Sequence, residues 1–269
     1  MMQNRELSAD NVAKIKAMAR EKLIAYGKLN VVIGSQIFHI LENESKVLYY
    51  PLEDSKVWGF SERIKGKAFV CINTSLDFEK QVFVAAHELF HLWYGTLGDI
   101  LLSKDSKDPD TEQEVELWAN RFAAEFLVDE ELLLQEMRTY GIDKQNIDVK
   151  AVMKLANIFT VPYRTMLRRL REVGLHSYST YNRMLVYAEK VAEIMKRRLS
   201  LTSQERKDKI SLSDLVDRAM SLYEKQLITY ERLEYLLGLS ELKPEEMGIA
   251  KEEKYQPPTD EELDELMEE

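Results

Sequence analysis

With 269 residues, 45% of them hydrophobic and 31% charged, the chain can bury one sizeable core, and its composition excludes a fibrous or disordered protein. Its single cysteine, Cys71, excludes an intrachain disulfide, and the lack of a signal peptide or of a run of ~18 apolar residues predicts a cytoplasmic protein without membrane contact. The net charge is −10, but residues 255–269 hold seven acids and no base, so the rest carries −3 and gives no reason to expect nucleic-acid binding.

The first part of the chain alternates between helical and strand patterns. Apolar residues recur at helical spacing over residues 10–27, and a short second helix is expected from Ser35 to Leu41. Three short segments rich in β-branched and aromatic residues follow, and they predict a small antiparallel sheet: KVLYYPL, KVWGFSERI and KAFVCIN. The next helix carries the sequence HELFH and is predicted to end at Gly95.

The rest of the chain is predicted to be helical. One helix is expected from about Pro109 to Val128, and another starts after Asp129. Residues 148–173 read as two helices joined at FTVPY, and amphipathic helices follow up to the acidic end of the chain. The predicted fold class is therefore α+β and mainly helical, with a three-stranded antiparallel sheet packed on the HELFH helix, followed by helix-turn-helix-like and helical C-terminal segments.

The HELFH stretch places two histidines four residues apart, with a glutamate directly after the first. At 100° per residue, His87 and His91 lie about 40° apart on one helical face, so both imidazoles can reach one ion. Glu88 lies beside this pair and can take a proton from a water instead of binding the metal. The pattern indicates a zinc-dependent hydrolase, and the alternative is an amphipathic helix that merely carries two histidines.

A catalytic zinc site needs a third protein ligand and one open position. On the next helix Glu116 falls inside an arc of apolar residues, where an unpaired carboxylate would be costly and a metal ion would remove that cost. Glu116 is therefore the predicted third ligand, ahead of Glu112 in the solvated first turn. The alternative is an ion pair between Glu116 and Arg121. Asn120, one turn further on, is predicted to hydrogen-bond one of the ligands.

These two motifs together carry a family resemblance. HELFH followed by ExxANRFAAEFL, which begins at Glu116, resembles the ImmA/IrrE family of zinc metallo-endopeptidases over about residues 10–137. The resemblance implies that Zn²⁺ is held by His87, His91 and Glu116, and that Glu88 is the catalytic base. It also implies that the substrate is a regulatory protein, a helix-turn-helix transcriptional repressor or an antitoxin.

The sequence also suggests how such a substrate would bind. An extended peptide is expected to add to the edge of the sheet, with the strand KAFVCIN as the first choice. The residue that would stabilise the oxyanion is not identified, since Tyr94, Tyr163 and His176 qualify by residue type alone.

The predicted organisation has four parts: a zincin-like metallopeptidase domain (1–145), a helix-turn-helix-like subdomain (146–178), a C-terminal helical region (179–250) and an acidic tail (251–269). Residues 148–175 have helix-turn-helix spacing and four arginines, which leaves open a non-catalytic regulator that binds DNA or a protein. The near-neutral body instead favours helices that pack on the peptidase, with their arginines paired to acids.

Overall fold

The computed structural model of the protein describes four stretches of the chain: residues 7–101, 109–145, 147–186 and 210–250. The chain divides into two compact units, the first ending at Ser213 and the second beginning at Asp214. Among the described residues, none of the helices combines the length and the apolar character that a membrane crossing requires. The predicted acidic tail, residues 251–269, lies outside the described residues.

The described part of the first unit is built mainly from helices: α1 (Ala9–Ala25), α2 (Ile37–Glu44), α3 (Phe78–Leu101), α4 (Pro109–Leu127), α5 (Glu130–Thr139), α6 (Val149–Phe159), α7 (Tyr163–Glu172) and α8, helical over residues 178–186. The side chain of Ser8 caps α1 by accepting a hydrogen bond from the backbone N–H of Asn11, and Asp129 caps α5 in the same way. Helix α4 packs against both α3 and α1, so it lies at the centre of the helical layer.

In the part of the chain that the structure describes, the sheet has four strands: β1 (Lys46–Tyr50), β2 (Gly59–Ile64), β3 (Lys67–Asn73) and β4 (Ser211–Leu212). Their order is β2-β3-β1-β4, with β2 and β4 antiparallel to their neighbours and β1 parallel to β3. The prediction of a three-stranded antiparallel sheet was wrong in topology, although the mainly helical α+β class is confirmed.

The connections explain this difference. A two-residue turn at Lys65 and Gly66, both with positive φ, makes β2 and β3 a tight hairpin and occupies one side of β3. The connection over residues 51–58 is long enough to carry the chain from β1 across β3, so β1 pairs with the free side of β3 and runs parallel to it. Strand β4 joins β1 from far along the chain, where no local pattern predicts it.

Helix α3 is longer than predicted. It runs through Gly95 to Leu101, because Gly95 has no positive φ and takes the place of an ordinary helical residue instead of ending the helix. One face of α3 packs on β2 and β3. Residues of this face are buried in the main core: Val82, Ala85, Ala86 and Leu89. Val70 and Ile72 of β3 belong to the same core. The part of α3 that carries HELFH is thus packed on the sheet.

Helices α6 and α7 pack against each other, and their apolar faces belong to the same core as α3 and α4. Arg169 of α7 has no exposed surface and donates to Glu125 of α4 and, from Nε, to the backbone oxygen of Val128 at 2.8 Å. Arg121 of α4 joins Glu125 and Glu172 in the same group of charges. Buried ion pairs therefore hold α7 on α4.

The second unit is small. Its described part contains α9 (Leu215–Glu224), α10 (Tyr230–Gly238) and a 3₁₀ turn (Pro244–Met247). The side chain of Thr229 caps α10, and three buried apolar residues form a separate small core: Ala219, Leu233 and Leu237.

Candidate metal centre

Three side chains from two helices converge at one point. His87 and His91 lie one turn apart on α3, and Glu116 faces them from α4. The Nε2 atoms of the two histidines are 3.1 Å apart, and each lies 3.2–3.3 Å from an oxygen of the Glu116 carboxylate. The structure thus brings together the three residues that the sequence predicts as ligands.

These separations fit a tetrahedral metal ion. Zinc binds histidine nitrogen and carboxylate oxygen at about 2.0–2.1 Å, which places the corners of a tetrahedron about 3.3–3.4 Å apart. The separation of the two histidine nitrogens lies within about 0.3 Å of that value, and each nitrogen lies at a similar distance from a different oxygen of Glu116. Two imidazoles with one carboxylate form a donor set that zinc favours. His87, His91 and Glu116 can therefore hold one zinc ion and leave its fourth position open.

Asn120 orients one of these rings. Its side-chain oxygen lies 3.2 Å from Nδ1 of His87, one helical turn beyond Glu116. Since an amide oxygen can only accept, Nδ1 of His87 carries the proton of the neutral ring, and the lone pair is then on Nε2, where the other donors converge. The contact that the sequence predicts for Asn120 is present.

Glu116 is more exposed than the helical pattern predicts. Its side chain is 55% accessible, because α4 borders an open cleft at this point instead of packing against α3. The predicted apolar burial of Glu116 is therefore wrong, while its carboxylate lies beside both histidines. Arg121, the alternative partner of Glu116, pairs with Glu125 and Glu172. The side chain of Glu112 lies outside the described residues.

The two histidines and Glu116 shift each other's pKa values. Hydrogen bonds from His87 and His91 hold the pKa of the Glu116 carboxyl far below its usual range, so this group is an anion. Burial lowers the pKa of His87, but the hydrogen bond to Glu116 and the charges of Glu88 and Glu116 raise it by more, so the net shift is upward. The arrangement attracts positive charge, whether a proton or a metal ion.

Glu88 occupies a different position from the three donors. Its side chain is only 5% exposed, and it turns towards β2, where Ser61 hydrogen-bonds its carboxylate. Burial raises the pKa of Glu88, and this outweighs the hydrogen bond from Ser61 and the nearby histidines, which lower it. A carboxylate with a raised pKa is a better proton acceptor near neutral pH.

Gly59 allows β2 to approach Glu88 closely. A Cβ atom at this position would lie 2.5 Å from Cγ1 of Val84 on α3 and 2.8 Å from the backbone oxygen of Cys71 on β3. The same Cβ would lie 3.7 Å from Oε1 of Glu88. Only glycine fits between strand and helix here, and the sequence contains no signal that distinguishes this glycine from a turn residue.

The cluster opens into a cleft of about 470 Å³ between α3, α4 and β2. Five consecutive residues of β2, Gly59 to Arg63, line it together with His87, Glu88, His91, Leu92 and Glu116. The expected peptide-binding strand, β3, is not an edge strand, since it is hydrogen-bonded to β1 and β2 on its two sides. The edge next to the cleft is β2.

The three residues considered as oxyanion donors lie elsewhere. Tyr94 points its hydroxyl towards the backbone oxygen of Met18, 3.5 Å away, and neither Tyr163 nor His176 lines the cleft. Sequence reasoning did not identify Ser61, Gly59 or Arg63, because their relevance depends on which strand forms the edge of the sheet.

The fold and the donor set define a metallopeptidase-like domain, in which a helix bearing two histidines and a glutamate packs on a small sheet beside a second helix. Residues 44–171 match the family model Peptidase_M78, described as the IrrE N-terminal-like domain. The predicted resemblance is confirmed. The match runs past residue 145 and includes α6 and nearly all of α7.

Among solved structures, the chain is similar to a Mycobacterium tuberculosis transcriptional regulator. The two share 15% sequence identity, with a TM-score of 0.45, over 59% of this chain and 46% of that one. This chain thus spans about half the length of that regulator. No curated protein matches the chain.

Proposed function

We propose that the protein is a zinc-dependent endopeptidase that hydrolyses one peptide bond in a regulatory protein, a helix-turn-helix repressor or an antitoxin. The observation that carries the proposal is the convergence of His87, His91 and Glu116 in one cleft beside the buried carboxylate of Glu88. The family match supports a protease-type domain. A zinc site with a structural role alone needs no base beside it, so the position of Glu88 favours catalysis.

The ligand set determines what the metal would contribute. His87, His91 and Glu116 would hold zinc, and the bound ion would supply a Lewis acid that polarises a carbonyl group and lowers the pKa of water to about 7. Asn120 would keep the His87 ring in the tautomer and orientation that ligation needs.

Glu88 would perform the proton transfers of the reaction. It accepts a proton from the attacking water as the C–O bond forms at the scissile carbonyl carbon, and it delivers that proton to the amine nitrogen as the C–N bond breaks. The raised pKa of Glu88 suits both transfers, and the hydrogen bond from Ser61 fixes the carboxylate against β2. The net reaction adds one water across one amide bond.

The substrate would bind in extended form along β2. Among the strands that the structure describes, β2 is at the edge of the sheet, so its outer backbone groups can pair with a peptide. Its residues line the cleft beside Glu88. An unfolded or loop segment of a regulatory protein fits this mode better than a folded surface, because β-strand addition needs an exposed backbone.

The alternative is a regulator without catalysis that binds DNA or a protein through residues 148–175. Helices α6 and α7 are close in the chain and pack against each other. However, Arg169 is buried against Glu125, and Arg168 forms an ion pair with Glu172. Arg171 lies over the rings of Tyr178 and Tyr181, so at least three of the four arginines have partners within the fold. These contacts favour a structural role for the segment over nucleic-acid binding.

The test is a search for a cleavage event that depends on Glu88. Zinc-loaded wild type and Glu88→Gln are each added to the native proteome of the cell that encodes the chain, and new protein N-termini are labelled and sequenced by mass spectrometry. We expect new termini, with the wild type alone, in a DNA-binding repressor or an antitoxin. Identical termini with both proteins, at equal zinc content, would contradict the proposal.

A further inference from the structure

One charged residue of the cleft has no role in the mechanism above. Arg63 of β2 lines the cleft, and it is the only lysine or arginine among the described residues that do so. Resting on the proposed function, we infer that Arg63 is a catalytic residue that stabilises the negative charge formed on the scissile carbonyl oxygen.

The charge balance of the cleft supports this role. Its lining contains three carboxylates, Glu62, Glu88 and Glu116, against the single guanidinium of Arg63. Within the described part of the chain Arg63 is exposed and makes no ion pair or side-chain hydrogen bond. By contrast, Arg121 and Arg169 of the neighbouring helices are both paired with acids. The five N–H donors of Arg63 therefore remain available to a ligand in the cleft.

The strand geometry places Arg63 on the face of β2 that borders the cleft. Side chains alternate along a strand, so Gly59, Ser61 and Arg63 share one face of β2. This is the face that meets α3, because a Cβ atom at Gly59 would lie 2.5 Å from Cγ1 of Val84 and Ser61 hydrogen-bonds the Glu88 carboxylate. Arg63 stands one step, roughly 7 Å, further along the strand than Ser61. Its cross-strand neighbour is Ala68, whose small side chain leaves room for a long one to cross towards the cleft.

Amide hydrolysis needs a group of this kind. When the water oxygen bonds to the carbonyl carbon, the electron pair of the C=O double bond moves to its oxygen, and that pair returns when the C–N bond breaks. An N–H of Arg63 donates a hydrogen bond to this oxygen at the point of highest charge and keeps its own proton throughout. The proton that moves is the one handled by Glu88, so the two residues have separate tasks.

Three variants separate the positive charge of Arg63, the geometry of its donors and the loss of a positive charge elsewhere on the hairpin. Arg63→Met removes the donors and keeps the length of the side chain, and Arg63→Lys keeps the charge without the fork of donors. Lys67→Met is the matched control, since Lys67 is an exposed cation on the other strand of the same hairpin and does not line the cleft. Zinc content is measured for every variant and should equal that of the wild type.

The first measurement uses a peptide spanning the cleavage site that depends on Glu88. We expect Arg63→Met to lower kcat about 10²-fold with little change in KM, Arg63→Lys to recover part of the loss, and Lys67→Met to behave as the wild type. A rise in KM at constant kcat would overturn the inference, because Arg63 would then bind an acidic side chain of the substrate in its ground state.

The second measurement requires no turnover. Calorimetry gives the Kd of each zinc-loaded variant for N-phosphoryl-leucyl-tryptophan, whose tetrahedral phosphoryl anion resembles the charged intermediate. We expect Arg63→Met to weaken binding at least ~10-fold while Lys67→Met leaves it unchanged. Equal affinities, or no binding by the wild type, would overturn the inference. Failure of the proposed function would appear differently, as a wild type that binds no zinc or cleaves no protein in a manner dependent on Glu88.

Discussion

Replacing Glu125 by glutamine is expected to destabilise the first unit by about 3 kcal/mol, although the residue lies outside the cleft. Glu125 is 5% exposed and accepts hydrogen bonds from both Arg169 and Arg121. Glutamine has nearly the same shape, so the change removes the negative charge and one acceptor while it leaves the packing intact.

The size of the stability loss follows from the buried charge of Arg169 that remains in Glu125→Gln. Arg169 has no exposed surface and cannot reach water, so its guanidinium would be buried without its bidentate partner. Breaking a buried pair by removing one member costs about 3–5 kcal/mol. The lower end applies here, because an oxygen of Glu172 lies 3.6 Å from Nη1 of Arg169 and retains part of the attraction.

Tryptophan fluorescence during urea unfolding measures this loss. All three tryptophans, Trp58, Trp93 and Trp118, lie in the first unit, so the signal reports that unit alone. Glu130→Gln is the matched control, since Glu130 makes an exposed ion pair with Lys16, and pairs of this kind contribute about 0–1 kcal/mol. If Glu125→Gln changed the free energy of unfolding no more than the control does, the buried pair would not hold α7 on α4.

Three further outcomes are expected. Asn120→Ala should weaken zinc binding about 10- to 100-fold in a chelator competition assay, whereas Asn120→Asp, which keeps an acceptor, should not. If Asn120→Ala bound zinc as tightly as the wild type, Asn120 would not orient His87. Gly59→Ala should lower the free energy of unfolding by about 1–3 kcal/mol through overpacking. Gly95→Ala has open space around its Cβ and should be neutral or stabilising. The reverse order of stabilities would contradict the close approach of β2 to α3. Burial lowers the pKa of His176, so the unfolded chain binds a proton at a pH where the folded chain does not. Urea titrations should therefore show the free energy of unfolding falling as the pH drops below about 6.5. The variant His176→Asn should show a smaller dependence on pH.

The residues that the structure gathers at the candidate site could be predicted because their relation is local. His87, Glu88 and His91 lie within one helical turn, and Glu116 and Asn120 lie one turn apart on the next long helix, so helical periodicity alone places each set on one face. The exposure of Glu116 could not be predicted, because it depends on where α4 leaves the core and borders the cleft.

The sheet could be predicted only in part. The three strand segments β1, β2 and β3 follow from their composition, but strand pairing is a long-range property. Strand β1 pairs with the side of β3 that the β2–β3 hairpin leaves open. The contribution of β2 to the site depends on that order. Ser61 and Arg63 therefore could not be recognised in the sequence as residues that line the same cleft as Glu88.

Elemental analysis of the purified protein tests the central claim most directly. If His87 and Glu116 are ligands and Glu88 is a base, wild type and Glu88→Gln should each contain about one zinc per chain, and His87→Ala and Glu116→Ala should contain almost none. A wild type that takes up no zinc, or a His87→Ala variant that takes up as much as the wild type, would contradict the assignment of this cleft as a zinc site.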